Sequence, residues 1–530
     1  MLTAFSFAPW DLWFLSLFSF FPIFFLIESD RWQDKPVKNA IFWGLLSGFL
    51  MDIFAYYWVI HTMTVFGHLS YPFALFVFFL YAVITNTRYV IFFALAVFWK
   101  SYLKKNTIKH KFLANPFLYL TVFWGISETF GWQLFPWYGG NLMNGNIVFI
   151  QTVDIGGIYL TSLFWFFISY SLYKISLLVY ENYNNKKNII KKIFLDKNLT
   201  AGIILLIITH LYGAGALLYW SNKEKSYDVK NIAVIQGSTP LGFQNIRNLA
   251  AELRKIIDGM VNQTLEVAAE ASSKNINIDF LVWPESAVPF LRYEKEPFLR
   301  EKIRYIQGKI PVEFMLSDIH SMKVNKKTET YNNVWLLSEK GEPIESYQKV
   351  FLLPFGEFMP LGDIFPALAD AFPEVSNFDR GSRFPLLPSK IGNILPLICY
   401  EVIPPDFTWS FYKKTESKAN IIINLTNDAW FGKSIASYQH MALGIMRAIE
   451  LRIPIVRSTN AGVTAYIDTL GNIHEPTGLF TRENRLYQVK IPQKNTTLFS
   501  IWGSIPYYLF LFIFFALGLF NIWQKPKTKK

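Results

Sequence analysis

Seven apolar stretches, at roughly 8–28, 39–60, 71–99, 114–135, 155–179, 199–220 and 499–523, limit this chain's folds more than any other feature. Crossing the hydrocarbon core of a bilayer takes about 20 apolar residues, and each stretch reaches that length. The third is long enough to tilt or to break near Asn86-Thr87-Arg88. Between 221 and 498 the apolar runs shorten and charged residues return. The expected organisation is therefore a bundle of six spans over 1–220, a globular domain over 221–498, and a closing helix with a basic tail over 499–530. Hydrophobic residues make up 52% of the 530 and aromatic residues 18%, a balance foreign to an ordinary soluble protein.

Lysine and arginine orient the spans, because short loops rich in them stay in the cytoplasm. Loop 29–38 carries Arg31, Lys35 and Lys38. Loop 100–113 carries Lys100, Lys104, Lys105, Lys109 and Lys111, and loop 181–198 carries Lys186, Lys187, Lys191, Lys192 and Lys197. The tail adds Lys525, Lys527, Lys529 and Lys530, whereas loops 61–70 and 136–154 and the first ten residues contain neither residue type. Seven spans satisfy this alternation with the amino terminus outside and the carboxyl terminus inside. The 221–498 domain then lies outside, on the membrane surface. Much of the net charge of +12 lies in the inner loops and tail, where it meets anionic lipid. No arginine-aromatic stripe supports a nucleic-acid partner. The first segment lacks the basic start and small-residue cleavage site of a signal peptide, so it is expected to be retained.

Asp11, Asp52, Arg88, Glu128 and Asp154 lie within or at the ends of apolar segments. Such residues are functional candidates, or groups that snorkel to the interface. Phe135-Pro136-Trp137-Tyr138-Gly139-Gly140 reads as an outer interfacial turn in which Phe135 and Trp137 either anchor the bundle or shape a lipid entrance.

The outer domain opens with the β-branched strand Asn231 to Gln236. Residues 244–268 then place Leu249, Leu253, Ile256, Ile257, Met260 and Leu265 at helical spacing. Phe280 to Trp283 is an apolar strand stopped by Pro284, with Glu285 at its exit. Helix 296–308 and strands 312–317, 332–338 and 343–348 follow, then a loop holding Lys349, Pro354, Gly356 and Glu357. The apolar run Ile394 to Ile398 delivers Cys399. Strand 420–425, helix 435–451 and strands 454–459 and 462–468 complete an alternation that predicts an α/β layered fold.

Cys399 is the single cysteine, which excludes an internal disulfide and any paired-cysteine metal or redox motif. It is either a small buried hydrophobe or a nucleophile. A nucleophilic thiol needs a base or a positive neighbour. Glu285 and Lys349 stand at comparable strand exits: a carboxylate would take and return the thiol proton, and an ammonium would face the oxyanion formed on a carbonyl. His320, His440 and His474, the histidines of the domain, occupy no strand exit, and the seven histidines of the chain lack metal-binding spacing. No metal or other cofactor is expected.

Trp283-Pro284-Glu285-Ser286, Lys349 followed by Leu353-Pro354-Phe355-Gly356-Glu357, Ile398-Cys399-Tyr400-Glu401 and Thr426-Asn427-Asp428-Ala429-Trp430-Phe431-Gly432 together resemble the nitrilase superfamily. More closely they resemble its membrane-bound branch, the apolipoprotein N-acyltransferases. Gln439-His440, Arg447 to Glu450, Arg457 to Gly462, Phe7 to Trp13 and Phe135 to Trp137 extend the likeness over essentially the whole chain.

The resemblance implies a nitrilase-like αββα sandwich carried by a polytopic helical bundle. It implies ping-pong acyl transfer from a glycerophospholipid, through a thioester on Cys399, to the α-amino group of an apolipoprotein's diacylglyceryl-modified first cysteine. Carried over residue by residue, Glu285 is the general base, Lys349 the oxyanion stabiliser and Glu357 a second acid, with Tyr400 and Glu401 supporting the nucleophile. Phe243, Trp283, Trp430, Phe135 and Trp137 are the expected lipid contacts. The chain departs from the family pattern in three places. It shows seven spans where one more is common, Gly242-Phe243 where a Lys-Trp pair is frequent, and Gly131 where arginine usually follows the acid corresponding to Glu128. The competing expectation is a membrane-anchored nitrilase-type amidase acting on a small amide, for which a single anchor would suffice.

Overall fold

The computed structural model describes residues 1–29, 35–106, 110–182, 189–239, 248–288, 291–324, 327–362, 364–365, 375 and 377–523. The chain divides into two units. One comprises Met1–Ile60, Ser70–Leu218 and Ile501–Lys530, the other His61–Leu69 and Tyr219–Ser500.

The first unit is helical. Among the described residues, five helices are long and apolar enough to cross a membrane: Pro36–Ala55, Tyr71–Lys105, Phe149–Glu181, Lys197–Glu224 and Ile505–Trp523. Two of the seven expected spans fall short. The stretch at 8–28 breaks into a 3-10 turn, Trp13–Leu15, and short helices Ser16–Ser19 and Phe21–Glu28, the last with proline in its first turn. Side chains of the helix Val153–Glu181 reach this broken stretch: Trp165 Nε1 donates to Ser16 Oγ (3.0 Å) and Ser169 to the Leu17 carbonyl (2.7 Å). Irregular backbone at membrane depth needs partners of this kind. The stretch at 114–135 yields only the 15-residue helix Pro116–Phe130. The interior is aromatic, with Phe20 edge-on to Trp124 (4.8 Å) and Trp165 (5.1 Å), and Trp124 stacked on Phe166 (5.6 Å).

Four of the five membrane-level ionisable residues do not snorkel; they are buried and partnered. Asp52 accepts from Asn86 Nδ2 (2.6 Å) and Thr85 Oγ1 (3.2 Å), and Asp154 from the Tyr212 hydroxyl (2.6 Å). Glu128 accepts from the Gly139 amide (2.6 Å), while Arg88 donates to the Trp137 carbonyl (3.0 Å) and lies 3.5 Å from the Trp137 ring centroid. Gly131 is a close approach: a Cβ there would fall 2.2 Å from Arg88 Cβ. The guanidinium expected next to Glu128 thus comes from Arg88, on another helix, and its charge acts on Glu128.

The second unit is the expected αββα sandwich. Its first sheet has the order β12-β1-β2-β3-β4-β5, from Glu483–Ile491 (β12), Asp228–Gln236 (β1), Phe280–Val282 (β2), Glu313–Val324 (β3), Lys327–Leu337 (β4) and Pro343–Gln348 (β5). Its second has the order β11-β10-β9-β8-β7-β6, from Ile473–His474 (β11), Ala465–Ile467 (β10), Ile455–Thr459 (β9), Ile421–Thr426 (β8), Gly392–Ile398 (β7) and Leu387–Ser389 (β6). The central strands β1, β2, β3 and β7, β8, β9 run parallel. Parallel strands are covered on both faces and read as unbroken apolar runs. Accordingly β2, β8 and β9 are buried at every residue. Ala233, Ile235, Leu281 and Trp283 pack with Ile257, Met260, Leu299 and Ile303 of the helices Leu249–Ser273 and Pro297–Lys309. The predicted start of the first helix, at 244–247, lies outside the described residues.

Candidate active site

Three strands end at one place. Glu285 lies three residues beyond β2, Lys349 directly beyond β5 and Cys399 directly beyond β7. Carboxyl ends of strands are where α/β sheets commonly place ligands. Trp283 extends β2 by donating to the Met315 carbonyl (2.9 Å), and Pro284 then ends the ladder so that the chain turns Glu285 out. Lys349 Nζ lies 2.6 Å from Glu357 Oε1 and 3.8 Å from Glu285 Oε1, with all three side chains largely buried. Glu357 Oε2 in turn accepts from the Leu353 amide (2.8 Å), and Glu285 Oε1 accepts from Asn332 Nδ2 (2.7 Å), while the Asn427 backbone also acts on the Glu285 carboxyl.

Cys399 is half-buried and has φ of +52°. A left-handed conformation at a residue with a Cβ costs of order 1–3 kcal/mol and persists only where neighbours enforce it. Glu401 is one such neighbour. Its carboxylate accepts from the Ile398 amide (2.8 Å), the Val350 (2.8 Å) and Phe351 (2.9 Å) amides and the Tyr347 hydroxyl (2.7 Å). One buried side chain thereby ties the turn at Cys399 to the segment after Lys349. Tyr400 stacks on Phe351, with centroids 5.7 Å apart.

Burial pushes the Glu285 carboxyl up to about 7 against the pull of the Lys349 ammonium, and the Glu357 charge adds to the rise. Burial opposes the charge on Lys349, but Glu357 and Glu285 hold the ammonium well above the usual lysine range. Burial, then the Glu285 charge, push the Cys399 thiol well above its ordinary value despite Lys349. The resting sulfur is a neutral thiol beside a carboxyl able to exchange protons near neutrality, and beside a permanent cation. That set suits attack on a carbonyl with proton transfer to and from the attacking and leaving groups.

The expected lipid contacts scatter. Trp283 is buried in the helix–sheet core and donates to Thr264 Oγ1 (3.0 Å), a packing position rather than a lipid contact. Trp137 is buried beneath Arg88 in the helical unit, and Phe135 meets Trp58 edge-on at 5.0 Å. Trp430 is 40% exposed and pairs with Phe66 at 4.9 Å. Phe243 lies outside the described residues. Sequence reasoning missed Asn332 and Asn427 as partners of Glu285; the signal for the first was a pair of asparagines, Asn332-Asn333, directly ahead of the apolar run Val334 to Leu337.

Comparison with known proteins defines the class. The carbon-nitrogen hydrolase family model matches residues 232–499, and the chain belongs to that family, within the nitrilase superfamily. The apolipoprotein N-acyltransferase N-terminal domain model matches residues 1–171, which places the chain in the apolipoprotein N-acyltransferase branch. Apolipoprotein N-acyltransferase 2 of Leptospira interrogans is 28% identical over 96% of this chain and 92% of its own length. Apolipoprotein N-acyltransferase of Azotobacter vinelandii is 28% identical over 94% and 89%. Among solved structures, Nit3 of Saccharomyces cerevisiae, a member of branch 10 of the nitrilase superfamily, has 16% identity and a TM-score of 0.37, covering 52% of this chain and 94% of that one.

Proposed function

We propose that Cys399, Glu285 and Lys349 carry out the acyl transfer by which this enzyme N-acylates apolipoproteins. Glu285 takes the Sγ proton as sulfur attacks the ester carbonyl of a phospholipid, and Lys349 faces the oxyanion. The carbon–oxygen bond then breaks, Glu285 protonates the departing lysophospholipid alkoxide, and the acyl chain remains on sulfur as a thioester. In the second half-reaction the neutral α-amino group of a diacylated apolipoprotein attacks that thioester. Its proton passes to Glu285, the carbon–sulfur bond breaks, and the thiol regains the proton from Glu285. Glu357 keeps Lys349 in place throughout, and Tyr400 and Glu401 hold the nucleophile's turn.

The observation that carries this reading is the ion cluster Glu285–Lys349–Glu357 beside a cysteine forced into a left-handed turn. A small-amide hydrolase is not favoured, since both it and a thioester carrier would use the same triad but only the latter needs a multi-span unit.

The enzyme is a membrane protein, and we place residues 221–498 on the periplasmic face. That placement rests on two flanks alone. The lysines of loop 181–198 hold the start of helix Lys197–Glu224 inside, and the lysines after helix Ile505–Trp523 hold its end inside. It is therefore independent of how many earlier helices cross. Purified protein incubated with phospholipid should gain one acyl mass on Cys399, and a diacylated lipopeptide should remove it. An adduct of equal yield in Cys399→Ala sinks the assignment.

A further inference from the structure

Glu401 accounts for one side of the Cys399 turn; the other side is held by residues to which the acyl-transfer steps assign no role. Asn424, buried on β8, donates from Nδ2 to the carbonyls of Leu397 (3.1 Å) and Cys399 (3.3 Å), gripping the nucleophile's strand end from below. Its Oδ1 is fixed by Arg457 Nη1 (2.7 Å) and Thr426 Oγ1 (3.1 Å). Arg457, on β9, sends Nη2 to Asp428 Oδ2 (2.8 Å), and Asp428 Oδ1 meets His440 Nδ1 (2.8 Å) on the helix Ala436–Leu451. All four side chains are at least nine-tenths buried. Asp428 directly follows Asn427, whose backbone supports Glu285.

Two features argue that this cluster is more than filling. A buried ion pair is a poor source of net stability, since desolvation of both charges consumes most of their attraction. The backbone also yields to it: a Cβ at Gly462 would sit 2.3 Å from Asp428 Oδ2, so only glycine permits the approach. Burial and the Arg457 charge hold His440 below its usual range, and Arg457 holds Asp428 ionised against burial. The neutral imidazole therefore donates from Nδ1. The His440 ring also interacts with the Cys399 backbone.

We propose that Asn424, Arg457, Asp428 and His440 form a positioning network that sets nucleophile and base relative to each other. One end fixes the Cys399 carbonyl, and through it the φ of +52°; the other fixes the turn that carries the Asn427 amide to Glu285. The inference rests on the roles given above to Cys399 and Glu285. The four residues are assigned no step of the transfer; they act through the backbone of Cys399 and of Asn427. Their effect is on alignment, where a displacement near 1 Å can cost about 10²-fold in rate.

The test uses the full-length protein in detergent. Single-turnover formation of the Cys399 acyl adduct is followed by intact mass at varied phospholipid concentration, for wild type, Asn424→Ala, His440→Ala and His440→Asn. The two alanine variants should acylate about 10²-fold more slowly at saturation with an unchanged half-saturating concentration. His440→Asn, which restores a donor to Asp428, should recover most of the rate. Rates corrected for folded fraction, from thermal melts, separate alignment from loss of fold. Wild-type rates in both alanine variants, or a fall matched by the folded fraction and not rescued by asparagine, overturn the network. Absence of any adduct in wild type overturns instead the roles of Cys399 and Glu285.

Discussion

Lys349 sits among carboxylates: Glu357 at 2.6 Å, Glu285 at 3.8 Å and, through its field, Glu401. Two predictions belong to this cluster. With Glu285 held up to about 7, the carboxylate needed as base is present above that pH and lost below it. The rate of Cys399 acylation should therefore be flat above pH 7 and fall about tenfold per unit beneath it, as read by adduct formation at short times. Glu285→Gln should form no adduct at any pH. Removing the cation has a different signature. Lys349→Met leaves buried carboxylates without their partner, a change worth about 3–5 kcal/mol where they remain ionised. The loss should be large at pH 8 and smaller at pH 5, where the Glu285 and Glu401 carboxyls, both held up to about 7 by burial, are protonated. Equal destabilisation at both values, in thermal melts of the purified protein, would show that the lysine serves packing alone.

The elements that present these residues were legible wherever the backbone is buried on both faces. β1, β2, β7, β8 and β9 announce themselves as apolar runs, so Glu285 and Cys399 could be found at strand exits before any contact was known, whereas Lys349 follows β5, an edge strand of mixed burial. The strands that escaped are those with little apolar signal. β12, Glu-Asn-Arg-Leu-Tyr-Gln-Val-Lys-Ile, is a sheet edge with charged residues, defined by its antiparallel register with β1, Asp228 opposite Ile491. β6 and β11 are only a few residues long. Partners fixed by long-range approach were likewise hidden, as with Asn332 on β4 reaching Glu285 and Arg88 replacing a guanidinium at 131. Glu401 is the link between two elements, and its variant tests that link. Glu401→Gln preserves shape but weakens acceptance from three amides and a hydroxyl, bonds worth about 1.5–3 kcal/mol each when the acceptor is charged. It should lower the melting temperature and slow acylation while Cys399 stays accessible to small alkylating reagents, since the segment after Lys349 loses its tie to the turn.

At the scale of the whole molecule, the count of crossing helices and the side on which the chemistry lies are separate questions. Seven apolar runs become five helices long and apolar enough to cross among the described residues, because the runs at 8–28 and 114–135 are interrupted by a 3-10 turn, by Pro22 and by the helix end at Phe130. The second depends on the lysines flanking the final two long helices, whose effect is local to the ends they flank. The single-cysteine background makes this directly measurable. In a Cys399→Ser protein, Asn144→Cys and Lys191→Cys place one thiol in a loop free of basic residues and one in the lysine-rich loop. A membrane-impermeant maleimide applied to intact cells with a permeabilised outer envelope should label Asn144→Cys at once. Lys191→Cys should react only after the inner membrane is opened. Labelling in the opposite order would invert the chain and put the thioester site in the cytoplasm, away from a substrate amine presented outside. Labelling of both before lysis would mean that the segment between them is not a stable crossing, although its helix, broken at Gly156-Gly157, runs unbroken from Ile158 to Glu181, about 36 Å at 1.5 Å per residue.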